Sequence, residues 1–69
     1  MKISVIINGS IVELPESVTN VAELLEWRQI PAAGTAVAID SVLIPAPRHH
    51  MTLLKHMDNI MIISAAYGG

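Results

Sequence analysis

The sequence predicts an α+β domain: one mixed sheet of about five strands with a single main α-helix packed on one face. Short runs rich in β-branched and apolar residues recur at Lys2–Ile7, Ser10–Leu14, Thr35–Ile39, Val42–Ile44 and Ile60–Ser64, each bounded by turn residues, and read as strands. Only the segment after Asn20 offers a long run with apolar residues at helical spacing, Val21, Leu24 and Leu25. The last strand is the most continuously apolar, which places it in the middle of the sheet beside the equally apolar first strand.

Each element has a local reason. Ile3, Val5 and Ile7 fall on one face of the first strand, and Asn8-Gly9 supplies the pair of positive φ angles that a two-residue type I′ hairpin needs. Ser10 to Leu14 returns as the second strand and stops at Pro15, which has no N–H for a ladder. After the polar loop Glu16-Ser17, Asn20 is the helix N-cap, and Glu23 is placed to reach back to the Asn20 N–H, its charge suiting the positive end of the helix. Glu23 and Glu26 face solvent, and Pro31 ends the helix near Gln29, after about three turns. Ala32-Ala33-Gly34 is a loop, Asp40-Ser41 joins the third and fourth strands, and Pro45 and Pro47 close that piece. Arg48 to Met57 reads as irregular or 3₁₀, with Met51, Leu54 and Met57 directed at the core, and Asp58-Asn59 turns into the last strand. Strand, strand, helix, strand, strand, irregular turn, strand is the β-grasp, or ubiquitin-like, order. The expectation is one domain over residues 1–65, with residues 66–69 as a flexible tail.

Composition narrows the function. Sixty-nine residues bury only about 60% of the unfolded surface, and with no cysteine the chain has neither disulfides nor a cysteine-held zinc to staple so small a core. Apolar residues are 52% and charged ones 14%, which excludes disorder and leaves apolar surface over for a partner. A net charge of −2, scattered basic residues and only one Trp and one Tyr argue against nucleic acid. No stretch approaches the roughly 18 apolar residues of a membrane span, and Met1–Ile7 is too short for a signal-peptide core, so the expectation is a soluble, cytoplasmic protein without a membrane partner.

The catalytic candidates are weak. Glu13, Glu16, Glu23 and Glu26 belong to a strand end, a loop and an exposed helix face, where solvation and not general acid–base work is expected. His49, His50 and His56 lack the fixed spacing of a metal site and read as surface histidines, so no metal is expected. Ser4, Ser10, Ser17, Ser41 and Ser64 have no nucleophile-elbow pattern around them. Trp27 is either core or part of an exposed docking surface.

Gly68-Gly69 is different. Average glycine usage gives two glycines at two stated positions a chance of only about 0.5%. Lacking Cβ atoms, they make a thin arm able to thread a narrow tunnel in another protein and present an α-carboxylate. A carboxylate reacts after ATP converts it to an acyl adenylate, and a sulfur or amine nucleophile then attacks, so the domain itself needs no catalytic residue.

Asn20-Val21-Ala22-Glu23-Leu24-Leu25 at the helix start, Ala36-Val37-Ala38-Ile39-Asp40, Ile44-Pro45 followed by Arg48, Asp58-Asn59-Ile60-Met61-Ile62-Ile63 and terminal Gly68-Gly69 together resemble the ThiS family of sulfur carriers in thiamine biosynthesis. The resemblance spans essentially the whole chain. It implies that Gly69 is adenylated by a ThiF-type enzyme using ATP, converted to a thiocarboxylate with sulfur from a donor such as a cysteine desulfurase, and used by a ThiG-type thiazole synthase. Gly68, Tyr67 and Ala66 then enter the partner with the arm, and no cofactor is bound permanently. The resemblance also implies a non-enzymatic co-substrate that docks through apolar sheet-face residues. Tyr67 departs from the family pattern, in which a small residue often precedes the glycines; its ring is either taken up by the partner tunnel or folded back on the sheet. Arg48 matches a family position and is otherwise a surface charge. Two further readings stand beside this one: a small subunit of molybdopterin synthase, and a ubiquitin-like modifier or interaction module.

Overall fold

The structure, a computed structural model, describes residues 2–64. Five strands form one sheet in the order β2-β1-β5-β3-β4, and α1 lies across one face. The strands are β1 Ser4–Ile7, β2 Ser10–Glu13, β3 Thr35–Ile39, β4 Val42–Ile44 and β5 Asn59–Ser64, with α1 at Val21–Trp27. β5 is central and parallel to β1, with Ile7 opposite Ile60, while its pairing with β3 and both hairpins are antiparallel. This is the β-grasp arrangement that the element order predicts, with the last strand beside the first.

Both hairpins turn in two residues through left-handed backbone. Asn8 and Gly9 have φ of 48° and 87°, and the space around Gly9 is open, so backbone conformation and not crowding calls for glycine there. Asp40 and Ser41 repeat the geometry at φ of 50° and 69° without a glycine.

The helix starts as its sequence dictates: Asn20 Oδ1 accepts from Glu23 N at 2.8 Å. Its end is earlier than Pro31 alone suggests. The last helical residue is Trp27, Arg28 is the C-cap, and Gln29 turns left-handed at φ 58°. Gln29 N then donates to Glu26 O at 3.0 Å and Ile30 N to Leu25 O at 2.8 Å, the bond pair of a Schellman motif. Ile30 packs back on the core beside this closure.

Val5, Ile7, Val37 and Ile60 from the sheet meet Val21, Leu24 and Leu25 from α1, with Leu14, Val18 and Leu54 closing the sides. The 48–57 segment differs in detail from its sequence reading. A 3₁₀ helix spans Ala46–Met51, starting directly after Pro45, and of the three residues directed at the core only Leu54 is buried. Met51 and Met57 are exposed at 61% and 46%. His49 is buried, contrary to its reading as a surface histidine, and its Nε2 lies 3.1 Å from the Ile44 carbonyl oxygen, to which an Nε2–H donates.

Candidate functional site

The sheet face opposite α1 is the most distinctive surface among the described residues. Strand alternation puts Val5, Ile7, Val37 and Ile60 inside, so their neighbours must face outward. Those neighbours are apolar too. Ile6 lies opposite Ile11, Ala38 opposite both Leu43 and Met61, and Ala36 opposite Ile63. Ile11, Leu43, Met61 and Ile63 are 70%, 65%, 55% and 60% exposed. The small side chains of Ala36 and Ala38 leave Leu43, Met61 and Ile63 standing above the sheet, a flat apolar platform of the kind that proteins cover with a partner. Two of these residues belong to β5, the strand that leads into residues 65–69.

β5 is well anchored. Asp58, buried at its entry, accepts through Oδ2 from Lys55 N at 2.8 Å, and its own carbonyl accepts from Ile6 N at 2.9 Å. Asp40 Oδ1 accepts from Asn59 N at 3.3 Å. Further along, the Asn8 side chain holds Ile62 by two bonds, one to its N–H and one to its carbonyl. This last contact is invisible to a reading that treats Asn8 only as a turn residue.

The charged candidates do not assemble into a catalytic group. Glu23 spends its carboxylate on the chain entering the helix: Oε1 accepts from Thr19 Oγ1 at 2.6 Å and from Thr19 N at 2.7 Å. The expected reach-back therefore lands chiefly one residue before Asn20. The Thr19 hydroxyl, and then the Thr19 N–H, hold the Glu23 carboxyl below its ordinary pKa. Glu26 is exposed, as are Glu13 and Glu16. His50 and His49 line a cleft of about 350 Å³ with Leu25, Ile30 and Ala46, at the small end for a ligand pocket. His56 is elsewhere, accepting at Nδ1 from Ser4 N at 3.1 Å. Among the described residues no group of three or more His, Cys, Asp or Glu is arranged to hold a metal ion.

Trp27 is not a core residue. It is 40% exposed beside Glu23 and Glu26, and the Arg28 guanidinium carbon lies 5.7 Å from its ring centroid. Arg48 is exposed on the 3₁₀ helix. Ala66, Tyr67, Gly68 and Gly69 lie outside the described residues. No described helix is long and apolar enough to cross a membrane.

With this geometry in hand, a family model described as the ThiS family matches residues 3–69, from β1 through the two glycines. The chain belongs to the ThiS family. ThiS proteins are small sulfur carriers, and the β-grasp sheet, the single helix and the Gly68-Gly69 pair of this ThiS protein all fall within the matched span. A comparison with curated proteins finds no significant match.

Proposed function

We propose that this ThiS-family protein is the sulfur carrier of thiazole formation in thiamine biosynthesis, a co-substrate and not a catalyst, acting in the cytoplasm. The observation that carries the reading is the family match over residues 3–69, which takes in Gly69. An oxygen of the Gly69 carboxylate attacks the α-phosphorus of ATP in a ThiF-type enzyme, pyrophosphate leaves, and an acyl adenylate forms. Hydrosulfide adding at the acyl carbon expels AMP and, on losing its proton, gives the thiocarboxylate directly; a persulfide adding there gives an acyl disulfide, which a second thiol cleaves, forming a disulfide and releasing the thiocarboxylate. A cysteine desulfurase is the proposed ultimate sulfur donor, and a ThiG-type thiazole synthase consumes the product.

The apolar platform supports the docking half of this scheme. Ile11, Leu43, Met61 and Ile63 offer burial worth about 25 cal/mol per Å² to each partner in turn. Gly68 and Gly69 present no side chain to the wall of a tunnel, whereas Tyr67 requires a wider passage, so its partner's entrance is expected to accommodate an aromatic ring.

The test is to incubate the native chain with a ThiF-type enzyme, ATP and sulfide, and to measure its intact mass. Replacement of one oxygen by sulfur, mapped to the peptide ending at Gly69, is the expected result. Absence of both that change and ATP–pyrophosphate exchange would overturn the reading, and a stable complex with a molybdopterin synthase large subunit would move the carrier to that pathway. Deleting Gly69 is expected to abolish loading while leaving the melting curve in place.

A further inference from the structure

In a parallel ladder, one residue of a strand directs both its N–H and its C=O to the neighbouring strand. β1 and β5 begin such a ladder: Ile6 N donates to Asp58 O and Asn8 N to Ile60 O, each at 2.9 Å. To continue, the Ile62 N–H needs the carbonyl of residue 8, and the Ile62 carbonyl needs the N–H of residue 10. The chain has by then turned away, at φ 48° in Asn8, and Ser10 has opened β2.

The side chain of Asn8 supplies both missing groups. Its Oδ1 accepts from Ile62 N at 2.8 Å, and its Nδ2 donates to Ile62 O at 3.2 Å. One planar amide thus stands in for the next peptide unit of β1. Asparagine meets three demands at once: it tolerates left-handed backbone, it accepts and it donates. Aspartate lacks the donor and glycine lacks both groups.

The placement of this clamp matters because, among the described residues, β5 beyond Ile60 pairs as a strand only on its β3 side, Ala38 opposite Met61, Val37 opposite Ile62, Ala36 opposite Ile63 and Thr35 opposite Ser64. The geometry points to Asn8 as a positioning residue for sulfur delivery: by clamping Ile62 to the β1–β2 turn, it fixes the distance between the platform residues Ile6 and Ile11, carried by β1 and β2, and Ser64 at the far end of β5, from which the chain continues to Gly69. A partner that grips the platform and reads the terminal carboxylate needs that distance held. This role rests on the carrier reading. Asn8 touches no reacting atom and acts through β5.

Two variants test it. Asn8→Gly keeps a residue suited to the turn and removes both bonds, and Asn8→Asp keeps the acceptor alone. At a temperature where both are folded, judged by circular dichroism and by unchanged amide exchange in β3, Asn8→Gly is expected to speed exchange of the Ile62 amide about fivefold to tenfold, the worth of about one hydrogen bond. In the adenylation assay kcat should fall by a similar factor, about fivefold to tenfold, with KM within about twofold, because most of the platform still docks. Asn8→Asp should fall between Asn8→Gly and the native chain in both readouts. Unchanged Ile62 exchange would overturn the clamp. Faster exchange with unchanged kcat would reduce it to a structural contact, and a rise confined to KM would make Asn8 a docking residue, either result overturning the proposal. If the native chain is not adenylated at all, the carrier reading and the delivery role fall together, while the exchange comparison still judges the clamp.

Discussion

Gln29 occupies a left-handed position, φ 58°, that a residue with a Cβ enters at a cost glycine does not bear. Its amide already makes the Schellman bond to Glu26 O, so the backbone needs no rearrangement to accept a change of side chain. Gln29→Gly is therefore expected to stabilise the fold by about 0.5–1 kcal/mol, raising Tm by roughly 2–8 °C for a domain this small. Glu23 carries a pH-dependent contribution. Its folded-state pKa lies below the ordinary glutamate value because Thr19 donates to the carboxylate, so the stabilisation is fully present above that ordinary value and is lost as pH falls through the lowered one. Glu23→Gln is expected to melt lower than the native chain near neutral pH, with the two melting temperatures converging in acid; a gap that persists at the lowest pH would contradict the linkage. Asn20 and Glu23 were legible as a helix start because their capping chemistry is local. Gln29 was not, since glutamine gives no sign of left-handed backbone, and Pro31 marks only that the helix must have stopped.

At the level of elements, the strands and α1 followed from alternation and spacing, and the exceptions share a cause. Asp40-Ser41 makes the second tight hairpin without a glycine, so the hairpin was readable from its flanking strands and the positive φ of Ser41 was not. The 3₁₀ helix at Ala46–Met51 is too short for a periodicity to stand out, and His49 is the one residue buried in it, with the Ile44 carbonyl satisfying its Nε2–H. On α1 the inner and outer residues should separate cleanly by mutation. Leu24 is fully buried, and Leu24→Ala is expected to cost about 2–5 kcal/mol. That is a large part of the stability of a 69-residue domain, about 3–10 kcal/mol at 0.05–0.15 per residue. Trp27→Ala should cost about 1 kcal/mol or less, its ring being partly solvated, and urea titrations with a common slope would measure both.

For the whole molecule, the open sheet face was legible only in outline. An apolar excess announced exposed hydrophobic surface, but the register that gathers Leu43, Met61 and Ile63 around two alanines comes from tertiary pairing. Met61→Glu together with Ile63→Glu is expected to change stability by only about 0.5 kcal/mol per site while reducing adenylation more than tenfold; retained loading would place docking elsewhere. The parallel pairing of β1 with β5 has a temporal consequence as well. It joins groups 54 residues apart in sequence, across the Asn8–Ile62 contact. During synthesis at about 5–20 residues per second, both hairpins and α1 emerge before anything can fill the centre of the sheet. Until then β1 and β3 expose the edges that β5 will join, and the core lacks Ile60, which the folded domain buries completely. The sheet therefore closes only after its last strand has been made, and because that same strand leads into residues 65–69, synthesis of Gly68-Gly69 follows directly on the step that completes the fold.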